Sequence, residues 1–301
     1  MKTSIFDSES EKRIYNRLKT VWSKYVDIFP QIPVRNVIEY NDLIKFGNND
    51  KKTEFLLKTS FDFVVCELNN GKPILIIEFD GLSGGFSNEG KFYITHTDII
   101  DQHRELKMST KLKLCEYFNI PMVVVSYNES NLLSESGDWI SILDVIIGDA
   151  IEKVRHFGES DNHLKILTEA FDYGGKESAE MALLEVEIMS ELNNPIKRKI
   201  RDITSKFPRW PSQIVFPREE DNYLIGDFYF MCGFKMVDDK INIKKMMEFQ
   251  LKMRKVGVLE TDLISIFNTI GEYCMARKIE KELGTDSEKW KKALESAYWS
   301  T

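Results

Sequence analysis

Two short apolar segments joined by an Asn-Asn-Gly-Lys turn constrain this chain more than any other feature. They are SFDFVVCE (60–67) and PILIIEFD (73–80). Their length, β-branched content and intervening turn residues predict a β-hairpin. Leu75, Ile77 and Phe79 occupy one parity and Ile74 and Ile76 the other. Both faces of the sheet must therefore be covered, which requires packed elements before and after the hairpin. The flanking sequence offers them. SESEKRIYNRLKTVWSKY reads as a helix with Ile14, Leu18, Val21 and Tyr25 on one stripe. Asp7 or Ser8 can cap it, with Glu11 three residues after Ser8 as in a capping box. FPQIPVRNVIEY is extended, because its prolines oppose helix. Residues 41–58 are polar and predict a loop or irregular insertion. A Gly/Ser-rich loop follows the hairpin. A helix then runs from about Asp98 to Phe118, PMVVVSY forms a buried strand, and Asp138 can cap a helix over DWISILDVIIGDAIEKVRHF.

The hairpin also carries the chemistry. With a three-residue loop Asn69-Asn70-Gly71 and Gly71 in the left-handed conformation, pairing is symmetric about Asn70. Asp62 then faces Glu78, and Asp80 shares their side. A two-residue Asn-Gly turn would shift the register by one and separate them. Carboxylates gathered at the end of a buried strand must be compensated. Oxygen ligands of this kind suit Mg²⁺ or Mn²⁺, which predicts a metal site at Asp62, Glu78 and Asp80. The competing reading makes them solvated strand-end charges. On the following helix Arg104, Lys107 and Lys111 share a face. Lys107 and Lys111 border the stripe Met108, Leu112 and Cys115, where a packed stem can still deliver its amine to a site. Lys113 points elsewhere.

In this order (helix with Glu, strand with Asp, strand ending Glu78-Phe79-Asp80-Gly81, helix, strand) residues 8–155 resemble the PD-(D/E)XK nuclease superfamily. The likeness is closest to its very-short-patch-repair and restriction-endonuclease-like branch. Asp62-Phe63, Ile76-Ile77-Glu78-Phe79-Asp80-Gly81 and KMSTKLKLCEYFNIPMVVVS carry it. The resemblance implies a restriction-endonuclease-like mixed sheet flanked by helices and a catalytic set of Asp62, Glu78 and the first-helix Glu11, with Glu9 as its substitute. Asp80 stands where the family signature has lysine. That points to a lysine from the next helix, Lys107 first and Lys111 second. Gly84 stands where a histidine often follows, and His96 or His103 could replace it. These departures leave open a weakened or inactive site.

The implied reaction is metal-dependent hydrolysis of a phosphodiester, with nucleic acid as substrate and DNA in preference to RNA. The resemblance suggests a prokaryotic defence, restriction or repair setting. The alternatives are a degenerate nuclease fold used as a nucleic-acid-binding or protein-interaction module, and a nuclease silent until a partner binds. The chain's 41 basic and 48 acidic residues give a net charge of −7, which argues against general nucleic-acid affinity but not against a local basic cleft.

From about residue 158 long helical patterns dominate (176–206, 240–256, 259–283, 286–298), with a small hairpin possible in NYLIGDFYFMCGF. The expected organisation is a nuclease-like domain over 1–157 and a mainly helical domain over 158–301 that binds substrate, a protein partner or a second copy in a homodimer. In IKRKIRDITSKFPRW, Lys197, Arg198, Lys199 and Arg201 precede Phe207 and Trp210. Basic groups beside aromatics suit phosphate contact and base stacking; a solvated helix end is the plain alternative. KKMMEFQLKMRK reads as a second basic amphipathic helix, and Trp290 and Trp299 can anchor a terminal one. Four scattered cysteines without a Cys-x-x-Cys pair predict no disulfide framework and a reducing compartment. With no run of about 18 apolar residues and no apolar leader, the expectation is a cytoplasmic protein without a membrane segment.

Overall fold

The architecture comes from a computed structural model. It describes residues 5–6, 8–47, 50–79, 102–133, 139–158, 160–208, 212–220, 223–237, 240–254 and 263–299. Ser8 caps α1 (Glu9–Trp22), its hydroxyl accepting from the Glu11 N–H at 3.1 Å and lying 3.3 Å from the Glu11 carboxylate. The helix buries Ile14, Leu18 and Trp22. β1 (Val26–Pro33) realises the first part of the extended segment; beyond Pro33 the chain turns into a short 3₁₀ helix (Val34–Asn36), which corrects the rest. Residues 41–58 are a correction: they form α2 (Tyr40–Gly47) and α3 (Asp50–Lys58) rather than a loop. Their polar composition misleads because few apolar residues suffice when well placed, and Leu43 and Leu56 are fully buried.

The hairpin follows as β2 (Ser60–Glu67) and β3 (Pro73–Phe79). Its register pairs Phe63 with Ile77, Val64 with Ile76 and Val65 with Leu75, symmetric about Asn70 as expected. The route to it differs. The Glu67 N–H donates to the Lys72 carbonyl and the Gly71 N–H to the Glu67 carbonyl, so the loop has four residues rather than three. A register shift at Val65/Cys66 restores the symmetry. Gly71 has φ 69, the left-handed conformation expected of it.

α4 (Gln102–Tyr117) leads to β4 (Met122–Val125), which lies parallel to β3. Asn119, at φ 56, stops the helix in a left-handed turn, with the Ile120 N–H donating to the Cys115 carbonyl. The sheet order is β1-β2-β3-β4, antiparallel except for the last pair. A one-turn helix α5 (Tyr127–Ser130) and α6 (Ile142–Gly158) complete this region. Ser141 stands at the head of α6, bonded through its N–H and hydroxyl to Asp144; the expected cap Asp138 lies outside the described residues. Buried Asp144 also accepts from the Trp22 indole at 2.8 Å and from Arg17, which ties α6 to α1.

The chain divides into two compact units. The first comprises residues 1–132, 141–154 and 255–263, the second 133–140, 155–254 and 264–301. One boundary between them falls within α6, between residues 154 and 155. The second unit holds α7 (Ser160–Asn193), kinked at Gly175, and α8 (Pro195–Thr204). Then come β5 (Ser212–Glu220), β6 (Tyr223–Val237) and β7 (Lys240–Arg254), followed by α9 (Leu263–Glu282), α10 (Ser287–Glu295) and β8 (Tyr298–Trp299).

The second unit is not helical throughout. Beside its helices it carries a four-stranded antiparallel sheet ordered β5-β6-β7-β8, and the segment read as a basic amphipathic helix is corrected to a 15-residue strand. In KINIKKMMEFQLKMR, Met247, Phe249, Leu251 and Met253 alternate with Glu248, Gln250, Lys252 and Arg254, a period of two that outweighs the helical reading. Phe228 of β6 packs on Phe267 and Phe249, and Trp290 is buried against Phe207 and Phe230. Among the described residues no helix is long and apolar enough to cross a membrane.

Candidate active site

One step beyond the paired residues Phe63 and Ile77, the hairpin brings Asp62 against Glu78. Side chains replace the backbone ladder there. The Asp62 N–H donates to Glu78 Oε1 at 3.2 Å, and the Phe79 N–H donates to Asp62 Oδ2 at 2.8 Å. The two carboxylates are thereby fixed by the strands themselves, and each satisfies a backbone donor that the ladder leaves open. Glu78 is 3% exposed, whereas Asp62 keeps a partial opening to solvent.

Lys111 reaches this pair from α4. Its Nζ donates to Glu78 Oε2 at 2.6 Å, and the residue is 7% exposed. A charge-assisted bond of this length inside a protein is among the stronger polar contacts available to it. Of the two lysines expected from α4, Lys111 is the one bonded to Glu78, and Lys107, expected first, is exposed. Both residues lie on nearly the same side of α4. They differ along its axis, where Lys107 sits one turn, about 6 Å, nearer the helix start. Lys113 is exposed, as its position on the helix implies.

Glu11 enters the same neighbourhood from α1 and is buried. Its link to the strands is Gln31 of β1, a residue the sequence reading missed. Gln31 Nε2 donates to Glu11 Oε2 at 3.2 Å and lies 3.5 Å from Asp62 Oδ1. Nothing in the local sequence marks Gln31. Its place becomes visible only from the β1–β2 register, in which Pro30 pairs with Phe63 and Ile32 with Phe61.

The electrostatics are those of crowded anions. Glu11, Asp62 and Glu78 converge with Lys111 as the cation bonded to Glu78. Asp62 is pushed up from its ordinary 3.8 to about 8, first by burial and then by the neighbouring charge of Glu78; Lys111 and the Phe79 N–H oppose the rise. Burial, with Glu78 beside it, also raises the Cys115 thiol, so this residue acts as an inert wall. Among the described residues no group of three or more His, Cys, Asp or Glu side chains is gathered as a metal centre. Asp80, expected as the third ligand, lies outside the described residues, as does His96. Arg104 and His103 lie on α4, but their side chains are outside the described set. The carboxylates that are described offer oxygen donors of the kind that suits a hard divalent cation.

The basic stretch falls on α8, in the second unit. Asn194 caps this helix through bonds to the N–H groups of Ile196 and Lys197. Ile196, Ile200 and Ile203 are buried, Lys197, Arg198 and Lys199 are half-buried, and Arg201 is exposed. Lys199 Nζ lies 4.7 Å from the centre of the Trp139 ring, so part of this cationic surface already stacks within its own unit. Phe207 is core, and Trp210 lies outside the described residues.

A family model described as a protein of unknown function (DUF2726) matches residues 3–141, a span that holds Glu11, Gln31, Asp62, Glu78 and Lys111. No curated protein and no solved structure matches the chain.

Proposed function

We propose that the first unit is a restriction-endonuclease-like, metal-dependent nuclease core that hydrolyses phosphodiester bonds of nucleic acid, DNA in preference to RNA. The observation that carries this reading is the contact set Lys111–Glu78–Asp62 on β2, β3 and α4. It gathers two carboxylates and one amine, the kinds of group such chemistry uses. The order α1-β1-α2-α3-β2-β3-α4-β4, in which two helices stand between β1 and β2 and β4 lies parallel to β3, is compatible with it.

Asp62 and Glu78 would hold Mg²⁺ or Mn²⁺, which when bound supplies Lewis-acid polarisation of a phosphate oxygen. Lys111 keeps Glu78 paired and brings an amine to the site, suited to the negative charge that grows on the phosphoryl oxygens. The Phe79 N–H orients the Asp62 carboxylate. Through Gln31, Glu11 adds negative charge behind this pair. The basic face of α8 would bind the substrate backbone or a protein partner.

The test is the purified protein on single- and double-stranded DNA and RNA, with Mn²⁺, Mg²⁺ or a chelator. Cleavage should require the cation and disappear in Asp62→Ala and in Glu78→Gln, which leaves Lys111 a hydrogen-bond acceptor, with both variants still folded. Near wild-type cleavage by both variants removes these residues from the mechanism.

One observation favours a second reading, a degenerate nuclease fold serving as a nucleic-acid-binding or protein-interaction module. Both Glu78 oxygens are already bonded, one to Lys111 and one to the Asp62 N–H. Mn²⁺ titration separates the two. An active centre binds the ion in a manner dependent on Asp62 and Glu78, and a degenerate one does not.

A further inference from the structure

We propose that Gln31 is a positioning residue of this site, tying the carboxylate of Glu11 on α1 to that of Asp62 on β2. The contact stands on geometry alone; its catalytic consequence rests on the nuclease reading. Three observations converge on it. By register Gln31 lies opposite Asp62, which in turn lies opposite Glu78, so the three form one polar row across β1, β2 and β3. Its single Nε2 serves both carboxylates, at 3.2 Å to Glu11 and 3.5 Å to Asp62. Its backbone has φ 52, the left-handed conformation that glycine adopts freely and other residues avoid. Among the described non-glycine residues only Asn119 shares a positive φ, and that residue ends a helix. A strained backbone inside a strand persists only where the surroundings impose it, and such residues gather at functional sites.

The side-chain chemistry explains why glutamine and not glycine stands there. A neutral amide offers two N–H donors on one nitrogen, so it can hold two like-charged groups together without neutralising either. A lysine would cancel charge that a divalent cation needs, a glutamate would add a fourth anion, and an asparagine is one methylene shorter. Gln31 thus brings Glu11 to Asp62 while leaving the cluster's negative charge intact.

The decisive variant is Gln31→Gly, which removes the amide and relieves the backbone at once. Its melting temperature should stay near or above that of the wild type. Its kcat should fall roughly 10–100-fold, the usual scale for a group that orients a metal ligand, with KM little changed. A purely structural residue would instead lower stability and activity together. A double-mutant cycle with Glu11→Ala, read by urea unfolding of the metal-free protein, tests the contact separately. Gln31→Gly should be more stabilising when Glu11 is already alanine, because no bond to Glu11 is then lost. Additive effects overturn the bridge. An unchanged kcat in Gln31→Gly, with an active wild type, overturns the positioning role. If the wild type cleaves nothing with any cation, the nuclease reading fails by itself. Coupling in the cycle would then leave a structural bridge and overturn the catalytic part of the proposal.

Discussion

At the scale of single residues, the site turns on which charges are compensated. Lys111 and Glu78 are both buried, so removing one partner strands the other. Lys111→Met should lower stability by about 3–5 kcal/mol, as for other buried pairs broken from one side, and slow cleavage by about a hundredfold or more. Lys107→Met should change stability by no more than about 0.5 kcal/mol, as for exposed positions. Urea unfolding and single-turnover cleavage of the two variants check this contrast. Asp62 gives a pH prediction for the metal-free protein. Its folded-state pKa, about 8, lies above its ordinary 3.8, so between these values the folded chain holds a proton that the unfolded chain has released. This group's contribution to stability is therefore complete below about pH 4 and is lost as pH rises through about 8. Denaturant midpoints across this range should show the decline, and Asp62→Asn should flatten it. An equally steep decline in the variant would assign the effect to another group.

At the scale of elements, the candidate site depends on register. A four-residue turn and a compensating shift at Val65/Cys66 place Asp62 against Glu78, and a slip of one residue would send one of them to the opposite side. The second unit shows the same dependence in its packing. A β-carbon on Gly271 of α9 would lie 2.0 Å from Cζ of Phe228 on β6, and one on Gly226 would lie 2.5 Å from Cε1 of Phe267. The helix and the sheet approach through these two glycines, each making room for a ring of the other element. Gly271→Ala should therefore destabilise the protein by about 1–3 kcal/mol, the usual cost of overpacking. Thermal unfolding measures this, and a variant as stable as the wild type would mean that the Phe228 ring can move aside.

At the scale of the whole molecule, the proposed division of labour puts chemistry in the first unit and recognition in the second. If α8 contacts phosphates, Lys197→Glu/Arg201→Glu should weaken nucleic-acid binding at physiological salt. The log–log salt dependence of affinity should flatten by roughly 0.7–0.9 for each lost contact. Mn²⁺ binding should be unchanged, since no site carboxylate lies on α8. A variant with the wild-type affinity and salt slope would reassign α8 to a protein partner or to structure.

Local pattern made a large part of this protein readable. Two short apolar runs around Asn-Asn-Gly specified the hairpin and the left-handed Gly71, because strand periodicity and turn chemistry act over a few neighbouring residues. Ser8 and Glu11 marked the start of α1 for the same reason. The four-residue turn and the shift at Val65/Cys66 that set the register had no local mark. The pairing of Asp62 with Glu78 was legible only as one of two registers that the turn could select. Tertiary structure decided what depends on partners distant in the chain. It turned the polar stretch 41–58 into two helices, since Leu43 and Leu56 gain a core only after folding. It made 240–254 a strand, because the period of two in Met247, Phe249, Leu251 and Met253 is realised against β6. It also selected Lys111 over Lys107, and it placed Gln31 beside Glu11 and Asp62. Both outcomes depend on axial position and register between elements, which no local sequence pattern encodes.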